Sequence, residues 1–132
     1  MKEHYTGAAH IAVMTRDMEK SIAFYEKIGG EVLNRDSLPD GAGTKYLSLV
    51  SFGGFVLELI QPAEPRDWVD GVIPHFAVYV DDVDRAAADL AALGIDTFTA
   101  PQKMVLPTLF GGLENRFFRG PSGEQIELLK ML

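Results

Sequence analysis

Two histidines and two glutamates carry the chemistry this sequence offers. His10 opens the segment His10-Ile11-Ala12-Val13, and His75 opens His75-Phe76-Ala77-Val78 at an offset of 65 residues. Glu58 lies within Leu57-Glu58-Leu59 and Glu127 within Ile126-Glu127-Leu128, at an offset of 69 residues. A carboxylate in an apolar strand is costly unless it is paired, protonated or bound to metal. No Lys or Arg lies within two residues of Glu58. Taken singly, each residue has a plain explanation: a lone His on an apolar strand is more often a hydrogen-bonded core residue, and a lone Glu can pair with an arginine from elsewhere, such as Arg116 or Arg119. The repeat changes the weighting, because both histidines occupy one repeat position and both glutamates another. His10, Glu58, His75 and Glu127 are therefore expected to converge on a single divalent metal ion. Two neutral imidazoles and two carboxylates give a doubly negative shell that suits such an ion. Mixed nitrogen and oxygen donors leave Ni, Co, Zn, Fe and Mn all open. Two vacant coordination positions would let a small-molecule substrate chelate through adjacent oxygens, with the metal as Lewis acid.

The elements that must position these residues repeat as well. Ala9 to Met14 is expected to be a buried strand, with Asp17 as the cap of a helix whose apolar positions are Met18, Ile22, Tyr25 and Ile28, stopped by Gly29 and Gly30. Extended stretches follow at Glu31 to Leu38, Lys45 to Phe52 and Phe55 to Gln61, the last two joined at Gly53-Gly54 as a hairpin. After a connector the pattern restarts: a strand from Ile73 to Val80, a cap at Asp82, a helix through Val83, Ala86, Leu90 and Leu93 ending at Gly94, and an extended Asp96 to Ala100. Leu113 to Arg119 and Gln125 to Met131 form a second hairpin, turned by Gly120-Pro121-Ser122-Gly123. Pro101 to Gly112 fits no regular element and is expected to be a covering loop. The fold class is α+β: two tandem βαβββ modules, forming a curved eight-stranded sheet cleft with helices outside. One domain spans 1–132, with repeat one at 8–61, a connector at 62–71 and repeat two at 72–131.

The motifs His10-Ile11-Ala12-Val13, Phe24-Tyr25, Phe55-Val56-Leu57-Glu58-Leu59, Pro74-His75-Phe76-Ala77-Val78 and Gly120-Pro121-Ser122-Gly123-Glu124-Gln125-Ile126-Glu127, in this order, resemble the vicinal oxygen chelate superfamily. That group includes glyoxalase I, methylmalonyl-CoA epimerase, extradiol dioxygenases, fosfomycin-resistance enzymes and bleomycin-binding proteins. The resemblance covers nearly the whole chain and implies paired βαβββ modules, a metal in the cleft and a homodimer with sites near or across its interface. The order His, Glu, His, Glu is similar to glyoxalase I, which implies proton transfer by a metal-bound Glu. Glu127 and Glu58 are both candidates for that base, and the resemblance leans towards Glu127. Two positions depart from the glyoxalase I pattern: Met14 stands where an Arg holds a glutathione carboxylate, and Pro62 where an Asn is expected. The implied activity is a lactoylglutathione lyase-like lyase or isomerase acting on another substrate. The alternatives are an Fe(II) ring-cleaving dioxygenase and a non-catalytic drug- or metabolite-binding protein.

Further candidates are weaker. Met14 and Tyr79 share strand faces with the histidines and are candidate substrate-binding residues. Arg116 and Arg119 flank Phe117-Phe118, and either is a candidate for holding a substrate anion. Trp68, Met104, Leu106 and Phe110 are candidates for an apolar lid or a dimer contact, and His4 for a stray ligand or part of an N-terminal tail. The net charge of −7, with no basic cluster, argues against nucleic acid. No apolar run reaches the roughly 20 residues of a membrane helix, and no signal segment or cysteine is present, so a cytoplasmic location is expected.

Overall fold

The computed structural model describes residues 2–4, 6, 8–67, 71, 73–106 and 111–132. Asp17 initiates helix α1 (Met18–Lys27) by accepting a hydrogen bond from the Lys20 amide at 3.1 Å, and Asp82 initiates α2 (Val83–Ala92) by accepting one from the Arg85 amide at 2.9 Å. These caps satisfy amides that have no partner inside the helix. α1 follows strand β1 (Ile11–Met14) and precedes β2 (Glu31–Asp40), β3 (Gly43–Phe52) and β4 (Phe55–Gln61). α2 follows β5 (Phe76–Tyr79) and precedes β6 (Gln102–Leu106), β7 (Gly111–Arg119) and β8 (Gln125–Met131). The expected βαβββ repeat is thus present twice, and the β3–β4 and β7–β8 hairpins fall where Gly53-Gly54 and Gly120 to Gly123 place them.

Each module forms its own four-stranded sheet, with strand orders β1-β4-β3-β2 and β5-β8-β7-β6. In both, the first strand runs parallel to the last, which requires the helical crossover between them. β1 and β5 are shorter than their apolar runs suggested, because the ladder begins only after each histidine.

The segment expected to be a loop contains β6. Gln102 to Leu106 pairs antiparallel with Gly111 to Asn115, and Pro101 falls just outside the paired residues, where it removes no ladder donor. The segment Asp96 to Ala100, expected to be a strand, joins β7 differently. The Thr99 amide donates to the Phe117 carbonyl at 2.9 Å. The Thr99 and Thr97 hydroxyls accept from the Phe117 and Arg119 amides at 3.0 and 2.9 Å. Threonine hydroxyls replace part of the ladder there.

α1 buries Met18, Ile22 and Tyr25 against Val13, Val50, Leu57 and Leu59 on one face of the first sheet. The second sheet contributes Phe76, Val78, Phe118, Ile126 and Leu128 to the same core. The modules meet where Phe76 packs edge-on against Phe52 and Phe55, with ring centroids at 6.3 and 5.5 Å. Gly53 sits at this junction with φ +56°, and an added Cβ would stand 2.8 Å from Val78 Cγ1. Both its conformation and the close approach call for glycine. Among the described residues no helix is long and apolar enough to cross a membrane.

Candidate functional site

The repeat places a His–Glu pair at the same register in each module. Ala12 faces Glu58 across the β1–β4 ladder, and Ala77 faces Glu127 across β5–β8. His10 and His75 lie two residues before those alanines and so share their face, diagonal to the glutamates. The result is His10 Nε2 at 3.4 Å from Glu58 Oε2, and His75 Nε2 at 3.2 Å from Glu127 Oε2. Both pairs lie on the sheet face opposite the helix, because the alternating neighbours Val13, Leu57, Phe76 and Ile126 point into the core. The imidazoles are accessible, with 40% and 39% of the side chains of His10 and His75 exposed.

The four residues do not gather within one chain. Among the described residues no group of three or more His, Cys, Asp or Glu side chains is placed to hold a metal ion. Within the chain the four residues stand as two separate His–Glu pairs, each a candidate half-site of two donors. The modules join through Phe76 and Val78, which point away from the face of His75 and Ala77. Each half-site fits a metal chemically, with one imidazole nitrogen and one carboxylate oxygen side by side on an accessible face. A four-donor shell needs the two halves brought together.

The second half-site has supports that the sequence candidates did not include. Asn115 on β7 donates from Nδ2 to Glu127 Oε1 at 2.7 Å, and Phe117 packs edge-on against the His75 ring with centroids 5.2 Å apart. Both alternate onto the Glu127 face of β7, and that strand alternation was the one signal available for them. Arg116, by contrast, pairs with Leu128 and points to the other face. Its Nε donates to the Thr99 carbonyl at 2.7 Å, and its guanidinium lies 5.0 Å from the Phe98 ring centroid. Arg116 is thus a strap holding the Thr99 segment rather than an anion ligand in the cleft.

A cleft of about 460 Å³ runs between the modules, lined by Ile11, Met14, His75, Arg119 and Glu124 among others. Met14 and Arg119 therefore line the same cleft as the second histidine, and Arg119 also donates from Nη1 to the Gly123 carbonyl at 2.6 Å. Tyr79 is 72% exposed and does not line this cleft. Met104 is half-buried and Leu106 exposed on β6, whereas Trp68 and Phe110 lie outside the described residues. His4 lies in a short 3-10 turn, 3.7 Å from Glu3.

Glu124 entered the sequence reading only as part of the motif Gly120 to Glu127, with no role of its own. It accepts from the Tyr25 hydroxyl and from the Ser122 amide, each at 2.9 Å. Burial pushes its carboxyl above the ordinary range, and burial likewise raises the Tyr25 phenol, helped by the Glu124 charge.

Paired βαβββ modules, each with a His–Glu pair diagonal across its first and last strands, define the class of fold and site. The sequence profile of the Glyoxalase/Bleomycin resistance protein/Dioxygenase superfamily matches residues 7–128, and the chain belongs to that superfamily. It is 29% identical over 131 residues to the uncharacterized protein YwbC of Bacillus subtilis (strain 168), covering 92% of this chain and 94% of that one. The crystal structure of SMU.1112c superposes with a TM-score of 0.72 at 26% identity, covering 94% of this chain and 98% of that one. The crystal structure of lactoylglutathione lyase from Agrobacterium tumefaciens shares the fold, with a TM-score of 0.62 at 20% identity over 96% of this chain and 94% of that one.

Proposed function

We propose that this protein is a metal-dependent lyase or isomerase of the glyoxalase-like type, working as a homodimer. One observation carries the reading: both modules present an imidazole nitrogen and a carboxylate oxygen at 3.4 and 3.2 Å on equivalent open faces. A structural core histidine would not need to recur with its glutamate at the same register. A second copy supplies the missing half, so that His10 and Glu58 of one chain and His75 and Glu127 of another would hold one divalent ion. When bound there, such an ion would supply Lewis-acid polarisation of a substrate carbonyl. One of the two glutamates takes a proton alpha to the polarised carbonyl. Phe117 keeps the His75 ring upright, and the mainly apolar cleft beside it receives the rest of the substrate.

The test is proton exchange. Metal-free protein is loaded with Co²⁺ or Ni²⁺ and incubated in D₂O with small alpha-hydroxycarbonyl compounds, and loss of the alpha-proton signal is followed by NMR. Exchange faster with loaded than with metal-free protein supports the reading. Equal rates across the panel overturn it.

A further inference from the structure

The two half-sites are built on one plan but supported differently. Asn115 faces Leu129 in the second sheet, and the matching position in the first, facing Ile60, is Leu47. Glu127 therefore has an amide donor at 2.7 Å on Oε1, leaving Oε2 towards His75, whereas Glu58 has an aliphatic neighbour at the corresponding place. The exposures follow: 11% of the Glu127 side chain is accessible against 26% for Glu58. Asn115 is itself 6% exposed, and its Oδ1 is buried with no hydrogen-bond partner among the described residues. A buried amide with one end unsatisfied is costly, and the bond made by the other end offsets part of that cost.

We infer that Asn115 is a positioning residue that makes Glu127 the permanent metal ligand and leaves Glu58 as the exchangeable one. The inference rests on the metal-binding reading above and deepens it. A carboxylate with one oxygen tied by a short amide bond presents the other oxygen in one orientation, which lowers the ordering cost of coordination. Among the described residues Glu58 has no such tether. It is the carboxylate free to leave the ion and accept a substrate proton. This reverses the preference for Glu127 as base that the family resemblance suggests.

The experiment is a Co²⁺ titration of the full-length protein, read by visible absorption and calorimetry. Glu127→Gln is expected to weaken Co²⁺ binding at least about tenfold more than Glu58→Gln does. Asn115→Leu is expected to weaken it by roughly 10–100-fold, the usual scale for a residue orienting a ligand. That loss should vanish in the Glu127→Gln background and persist in the Glu58→Gln background, because Asn115 acts through Glu127 alone. Asn115→Ala, which removes the donor without adding bulk or charge, serves if the leucine variant does not fold. Equal losses for the two glutamine variants, or an Asn115 effect independent of Glu127, would overturn the inference while leaving metal binding intact. A wild-type protein that takes up no Co²⁺ would overturn both.

Discussion

Tyr25, on α1 of the first module, donates a 2.9 Å hydrogen bond from its phenol to Glu124 in the β7–β8 turn of the second. The Ser122 hydroxyl makes a second crossing to Thr15 at 3.0 Å, and Thr15 in turn bonds Ser21 on α1 at 2.7 Å. The cleft beside His75 is bordered by this same turn, so the bonds that join the modules also shape the candidate site.

The burial of Glu124 gives stability a pH dependence of definite sign. Its carboxyl is raised in the folded state above the ordinary value of 4.5, mainly by burial. The folded protein then binds more protons than the unfolded one in the window above 4.5. The stability contributed by this group is complete below that value and is lost as pH rises through the raised folded-state pKa. In thermal melts from pH 4 to 8, wild type should lose Tm relative to Glu124→Gln as pH rises. Parallel profiles would show that Glu124 does not titrate as placed.

Phe76 is the hinge pin of the core, between Phe52 and Phe55. Phe76→Ala leaves a cavity at the module junction and should cost about 3–5 kcal/mol, the usual range for a buried Phe. Urea unfolding checks this, with a lower midpoint and an unchanged slope. A loss below about 1 kcal/mol would mean the modules do not depend on this contact.

The caps at Asp17 and Asp82 occupy one repeat position and bond the amide three residues on in the same way. Asp17→Ala and Asp82→Ala should each destabilise by about 1 kcal/mol. Chemical denaturation of the two variants measures this, and a large difference between them would argue that the repeat is not equivalent at its helix starts.

Met14 lines the cleft near His75, and Pro62 follows the end of β4. Neither offers a donor to a glutathione carboxylate. The hemithioacetal of glutathione and methylglyoxal should be turned over weakly or not at all by Co²⁺- or Ni²⁺-loaded protein in a thioester absorbance assay. Efficient turnover would place the glutathione contacts elsewhere in the chain.

Much of this architecture was legible because it is written twice. Helices, caps and hairpins followed from local periodicity and turn residues, and matching offsets linked His10 to His75 and Glu58 to Glu127. What was not legible depended on pairing between distant strands. The segment at Gln102 looked like a loop because its partner, Gly111 to Asn115, begins with two glycines. Arg116 and Asn115 are adjacent in sequence, and the β7–β8 register alone sends Asn115 to Glu127 and Arg116 to Thr99. Nor could the offsets say whether the two pairs meet in one chain, since that depends on which sheet faces the modules use to pack.

The central claim is that the two His–Glu pairs, from different copies, make one metal site. The direct measurement is Co²⁺ uptake by a mixture of two inactive halves. His10→Ala/Glu58→Ala protein and His75→Ala/Glu127→Ala protein should each fail to bind the ion tightly. Refolded together, they should regain tight binding in the mixed dimers, where one intact half from each chain meets. Wild-type protein that binds no Co²⁺, or a mixture that regains none, would contradict the account.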